Sequence, residues 1–236
     1  MRRARRFLPL LFVLCVSGCA FNPPGEPPIP TPPLPEPDSP QNLMLRFEGV
    51  YELQSAVNYE ALLTSDFRYT FSLASDPTLF NQYPNWGRDD EVEATRHLFE
   101  GFTTTTGENL PAASRIDMTL TGLQFGPDYT HPDSAEHYMK VVVTSVDMDI
   151  EVPTRPEPTS YRVSGRHEFY IVRGDAAVLD PGQTARSDRW YLRRWDDLTP
   201  GVAAPVPQAD IVIGAPRRVS ASWGGVKATA APRTDG

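Results

Sequence analysis

Residues 137–152 read HYMKVVVTSVDMDIEV. Val142, Thr144, Val146, Met148, Ile150 and Val152 fall on one face of this run, and Ser145, Asp147, Asp149 and Glu151 on the other. Successive side chains of an extended chain point to opposite sides, so the alternation predicts a long strand with one buried and one wet face. SYRVSGRHEFYIV (residues 160–172) repeats the pattern, with Tyr161, Val163, Gly165, His167, Phe169 and Ile171 together. Gly165 in mid-strand marks a bend or a bulge. Ile116, Met118 and Leu120 alternate before these two strands, and DRWYLRRW (residues 188–195) forms a last strand after them that ends at Asp196-Asp197.

Upstream the period changes from two to that of a helix. Leu43, Phe47, Val50, Tyr51 and Gln54 make one row within a helical region spanning residues 41–64, weakened by Gly49. Asn58 is the expected cap of a second short helix through Leu63. DFRYTFSL (residues 66–73) alternates as a strand with Phe67, Tyr69, Phe71 and Leu73 on one face. Asp76 to Trp86 reads as a loop. WGRDDEVEATRHLFEGF (residues 86–102) is the clearest helix, with an apolar stripe of Val92, Thr95, Leu98, Phe99 and Phe102. Asp89, Asp90 and Glu91 crowd its first turn, where carboxylates favour the helix dipole, and His97 falls toward solvent. The expected class is α+β, with N-terminal helices packed on a strongly curved antiparallel sheet.

EGVYELQSAVNYEALLTSDFRYTFS (residues 48–72), then WGRDDEVEATRHLF, then four strands, is an order that resembles the nuclear transport factor 2-like, or cone, fold of ketosteroid isomerase and polyketide cyclase. That resemblance covers about residues 41–197 and rests on order and texture, with no catalytic motif. It implies a helix pair leading into a first strand, a third helix, and a bent sheet closing a conical pocket. Within the family the chain looks closest to bacterial lipoproteins carrying this domain.

The N-terminus supplies the lipoprotein half of the resemblance. Arg2, Arg3, Arg5 and Arg6 precede an apolar run from Phe7 to Val16, broken only by Pro9. Ser17 and Gly18 complete a secretory signal peptide. Its apolar part is about ten residues, where a bilayer span needs about 20. Val16-Ser17-Gly18-Cys19 resembles the lipobox, which implies a diacylglyceryl thioether on Cys19, cleavage before it and acylation of the new N-terminus. Several acyl chains make a stable anchor where one is marginal. Cys15 leaves with the signal, so no disulfide or thiol chemistry remains. Ala20 in place of aspartate resembles outer-membrane cargo. The expected location is the cell envelope, lipid-anchored through Cys19, with the outer membrane favoured.

The expected organisation is a signal over residues 1–18, a lipidated cysteine and Pro-rich linker over 19–40, the domain over 41–199, and a Pro/Ala/Gly-rich tail over 200–236, partly docked. PPGEPPIPTPPLPEPDSP (residues 23–40) lacks the donors and dihedral freedom for helix or sheet. As polyproline II it would reach on the order of 50 Å. Without the four signal arginines the chain has 18 basic against 30 acidic residues, a net charge near −12. That balance speaks against nucleic acid and against electrostatic binding to anionic lipid.

Enzymes on the cone fold need a carboxylate base and an acid or tyrosine inside the pocket. The alternation turns Asp147, Asp149 and Glu151 outward and leaves His167, beside Tyr161 and Phe169, as the inward ionisable residue. A lone histidine on an apolar face is more often a hydrogen-bonded core residue. In the last strand Trp190, Leu192 and Arg194 share one face and Tyr191, Arg193 and Trp195 the other, with no sign of which is inside. An inward Arg194 would suit an anionic ligand. His167, Tyr161 and Arg194 are thus pocket candidates, without a catalytic set. His131 and His137, with Asp133 and Glu136 between them, lack zinc spacing, and the acidic triplet Asp89–Glu91 has a structural reading, so no metal is expected. Nucleotide and hydrolase fingerprints are missing, and no cofactor is expected.

Three functions remain. The first is an envelope lipoprotein, not an enzyme, that binds a small apolar ligand or a protein partner. The second is a cofactor-independent pocket enzyme of isomerase, dehydratase or hydrolase type. The third is a structural envelope protein without a ligand. Two or more ionisable side chains converging within hydrogen-bond reach inside the cone would speak for the enzyme.

Overall fold

The structure is a computed structural model that describes residues 33–104, 106–130, 137–153, 158–174, 179, 186, 188–200, 217–220 and 226. Residues 34–236 form one compact unit. The N-terminal helical region is two helices. In α1 (Pro40–Glu52), Ser39 accepts the amide of Asn42 at 3.2 Å and Pro40 occupies the first turn, where its missing donor costs nothing. Its buried row is Leu43, Met44, Phe47, Val50 and Tyr51. It ends where Gln54 takes a left-handed φ of 50° and its Nε2 donates to Ala113 O at 2.7 Å. In α2 (Ala56–Glu60) the cap position is Ser55, not Asn58. Asn58 lies inside the helix and donates to Ser55 Oγ at 2.8 Å.

Strand β1 (Leu63–Thr70) buries Phe67 and Tyr69 as the alternation predicts. The strand stops before Leu73, which is 59% exposed. The expected loop contains a short helix, α3 (Pro77–Gln82), that starts on Pro77 and buries no residue. Helix α4 (Arg88–Glu100) packs on β1 and α2. Two short strands, β2 (Phe102–Thr103) and β3 (Asn109–Leu110), pair with each other.

The main sheet holds β1, β4 (Arg115–Thr121), β5 (Gln124–Thr130), β6 (His137–Val152), β7 (Thr159–Arg173), β8 (Trp190–Asp197) and β9 (Arg217–Ser220). Its order is β1-β8-β7-β6-β4, with β5 beside the first half of β6 and β9 beside the start of β7. The α+β class with helices against a curved sheet is as expected, but the sheet is mixed rather than antiparallel, because β1 runs parallel to β8 and β9 parallel to β7. Length explains the topology. The 16-residue β6 is matched in length only by the 15-residue β7, so the short β5 and β4 share its free side in turn. β8 likewise covers only His167–Arg173 of β7, which leaves Thr159–Arg162 for β9. Val226 is buried in the main core.

The inward row of β6 departs from the strict alternation. Val141 and Val143 are buried, and so are Val146, Met148 and Ile150, whereas Val142 is only partly buried and Thr144 is exposed. The register with β7 shifts between Val143 and Val146. An inserted residue bends the strand and flips which parity faces inward. The valine triplet 141–143 is apolar at both parities and so conceals the switch. At the sheet margin, Glu48 of α1 accepts the amide of Leu120 at 2.5 Å and occupies a donor on β4.

The last residues of the expected linker belong to the folded unit. Trp190 N donates to Pro37 O at 2.7 Å, and Arg46 Nη1 donates to Pro35 O at 2.9 Å. Leu34 lies over Gly49, where a Cβ would stand 2.5 Å from Leu34 Cδ2. The glycine that weakens the helix thus makes room for the incoming chain.

Candidate functional site

Between the helices and the inward face of the sheet lies a packed aromatic interior. Trp195 is at its centre, with ring centroids of Phe47, Tyr69 and Phe169 at 5.3, 5.3 and 5.1 Å. Two polar clusters are set into it.

The first joins α2, α4 and the approach to α4. Glu91 is fully buried, where the sequence places it with Asp89 and Asp90 on a wet first turn. Tyr59 OH donates to its Oε1 at 2.5 Å and Trp86 Nε1 donates to its Oε2 at 2.9 Å. A carboxylate can be buried when donors replace its water, and these two do so. Asp90 does what a first-turn carboxylate is expected to do, accepting Gly87 N at 3.0 Å. The signal for Glu91 is its spacing: Glu91, Thr95 and Leu98 stand at i, i+4 and i+7 beside the stripe of Val92.

The second cluster contains the predicted His167. Its ring is wholly buried, and its Nδ1 accepts a hydrogen bond from Trp195 Nε1 at 2.9 Å. In the neutral ring the proton therefore sits on Nε2. Asp197 Oδ1 lies 3.9 Å from His167 Nδ1, and Tyr69 OH donates to Asp197 Oδ2 at 3.5 Å. Asp197 stands at the expected end of the last strand but is not among the pocket candidates, although two residues on from an inward Trp195 is again inward. This cluster places an imidazole, a carboxylate and a phenol together, the groups that acid–base chemistry uses.

The other candidates lie elsewhere. Tyr161 shares the inward row of β7 but is six residues from His167, about 20 Å along an extended strand. Arg194 faces outward. Tyr170 pairs with Arg194 and Ile171 with Leu192, so Arg193 is inserted between them and the faces switch there. Arg194 Nε donates to Asp196 Oδ1 at 2.7 Å, and its guanidinium lies 5.1 Å from the Tyr170 ring. His97 is not simply solvated; it stacks on Phe102 at 4.1 Å. Cys19, His131, Asp133, Glu136 and the His137 side chain lie outside the described residues. Among the described residues there is no group of three or more potential metal ligands, and no helix is long and apolar enough to cross a membrane. An open groove of about 220 Å³ lies on the far side of the sheet margin, lined by Gln124, Phe125, Gly126, Pro127, Lys140 and Val142.

Burial pushes the phenols of Tyr51, Tyr59 and Tyr69 well above their usual range; the charge of Glu91 adds to this for Tyr51 and Tyr59, and that of Asp197 for Tyr69. An unfolded tyrosine ionises near pH ~10. Above that pH the unfolded chain has lost three protons that the folded chain keeps, so stability is whole below pH ~10 and falls by about 4 kcal/mol per unit above it. We expect cooperative alkaline unfolding, with the tyrosinate absorbance of these three of the nine tyrosines appearing only together with the loss of circular dichroism. Ionisation of all nine near pH ~10 in a chain still folded would contradict the burial of these rings.

The chain matches no family model and no curated protein. It is similar in structure to a putative scytalone dehydratase from Novosphingobium aromaticivorans, at 10% identity and a TM-score of 0.43 over 66% of this chain and 78% of that one. A naphthalene 1,2-dioxygenase with indole bound in its active site gives 13%, 0.45, 68% and 76% in the same order. A ketosteroid isomerase-like protein from Erwinia carotovora atroseptica gives 12%, 0.38, 68% and 94%. At these identities and TM-scores the likenesses carry no argument about chemistry, and the α+β class stands on the elements themselves.

Proposed function

We propose that this chain is a lipid-anchored envelope protein, tethered through Cys19, whose domain is of the nuclear transport factor 2-like kind and acts through its surface on a protein partner. One observation favours a surface role over a small apolar ligand in the cone. Phe47, Tyr69, Phe169 and Trp195 are each at most 2% exposed and fill the space such a ligand would take. The anchor rests on the basic start, the short apolar run and Val16-Ser17-Gly18-Cys19. The outer membrane is the favoured address on the strength of Ala20.

In cells of a bacterial host, the wild-type chain is expected to incorporate labelled fatty acid and sediment with membranes. Cys19→Ala should lose the label and move to the soluble fraction. Unchanged sedimentation of the variant would sink the anchor.

A pocket enzyme is the second reading, because Tyr69, His167 and Asp197 converge in the interior. That reading requires a way in from solvent, since all three are buried.

A further inference from the structure

Gly165 belongs to the inward row of β7, two residues before His167. A Cβ built on Gly165 would overlap Thr199 Oγ1 and stand 2.9 Å from Thr199 Cβ. The Thr199 side chain therefore occupies the place that a side chain at position 165 would fill. It arrives there on the segment that follows β8, whose first residue continues the pairing of Asp197 with His167 one step further along β7. Leu198 N donates to Arg166 O at 2.9 Å, and Ser72 Oγ donates to Thr199 O at 2.7 Å. Thr199 N donates to Asp197 Oδ1 at 2.8 Å, the side-chain turn that aspartate favours. Leu198 and Pro200 are exposed, so the turn is held by hydrogen bonds and one small contact rather than by buried apolar surface. Segments held in this way open at lower free energy than the core. The carboxylate that holds the turn is also the one that faces His167.

We propose that residues 198–200 form a latch that seals His167 and Asp197 from solvent, with Gly165 as its seat. A raised latch leaves over Gly165 a slot the size of a threonine side chain, next to His167 and Asp197. Thr199 brings a hydroxyl and a methyl group into that slot. The ligand class that can replace it is a small group carrying a hydroxyl or carbonyl beside an apolar carbon. The latch stands whether or not the histidine and aspartate carry out chemistry, so its fate is independent of the pocket-enzyme reading.

The test is the reaction of His167 with diethyl pyrocarbonate in the full chain, read by peptide mass. The reagent acylates imidazoles that it can reach. Ser72→Ala removes the hydrogen bond to Thr199 O, and with it the one that Ser75 N donates to Ser72 Oγ outside the latch at 3.2 Å. It adds no bulk and should speed His167 acylation about tenfold, the factor that one lost latch hydrogen bond carries. Gly165→Ala evicts Thr199 and should speed it further. Amide exchange at Val143 and Phe169, in the middle of β6 and β7, reports global opening and should stay at the wild-type rate in Ser72→Ala. An unchanged acylation rate in folded Ser72→Ala overturns the latch. So does a rate that rises only together with exchange at those amides. If Gly165→Ala does not fold, Ser72→Ala alone decides.

Discussion

Glu91→Ala is expected to unfold at much lower denaturant concentration than the wild type, with a loss of about 3–5 kcal/mol. The carboxylate is the acceptor for two buried donors, Tyr59 OH and Trp86 Nε1. Removing it strands both in a buried site, and each stranded donor costs about 1–3 kcal/mol. The damage spreads because the carboxylate ties three segments together. Tyr59 belongs to α2, Glu91 to α4, and Trp86 to the segment whose carbonyl accepts Tyr69 N at 3.0 Å along the open side of β1. Glu91→Gln keeps the shape and one acceptor but presents an amide to a second donor, so a smaller loss is expected, about 1–2 kcal/mol. Chemical denaturation of the three proteins, with equal m-values as the check on two-state behaviour, measures both. Equal midpoints for wild type and Glu91→Ala would mean that the carboxylate is not the joint between these segments.

Glu91 also shows where local pattern loses its hold. Three acids at a helix start satisfy the dipole, so the triplet has an explanation at the surface, and only the spacing of Glu91 with Thr95 and Leu98 sets the third apart. Burial is decided by Tyr59 and Trp86, which are remote or off the helix and meet Glu91 only once α2 packs on α4. The order of the longer elements, the inward row of β7 and the buried row of α1 were readable because each depends on a period within one segment. Faces failed where a strand changes parity. The inserted residues near Thr144 and at Arg193 each exchange inside for outside, and this is why Val142 and Thr144 leave the core and why Arg194 points away from it. His167 was legible as an inward residue, since β7 keeps its period from Tyr161 to Ile171. Its partners were not, because Asp197 lies beyond a parity switch and Tyr69 comes from a strand 128 positions away in sequence from Asp197. The parallel pairing of β1 with β8 is likewise a long-range choice that no short window contains.

Trp195→Ala is expected to cost about 3–5 kcal/mol or to prevent folding altogether. The indole is fully buried and is the ring that Phe47 from α1, Tyr69 from β1 and Phe169 from β7 all approach edge-on or tilted. Its removal leaves a cavity bounded by rings on three elements, and such rigid walls collapse poorly. Trp195→Phe separates packing from hydrogen bonding. It restores most of the volume but withdraws the Nε1 donor from His167 Nδ1, which stands at 2.9 Å in the wild type. With that donor gone, the imidazole is free to place its proton on Nδ1, toward Asp197 Oδ1. The expected result is a modest stability loss, about 1–2 kcal/mol, with a change of tautomer visible in the nitrogen chemical shifts of His167. An unchanged tautomer in Trp195→Phe would show that the surroundings other than Trp195 orient the ring. A folded Trp195→Ala of wild-type stability would show that the interior is not closed around this indole, and would return the cone to the list of places where a small ligand could sit.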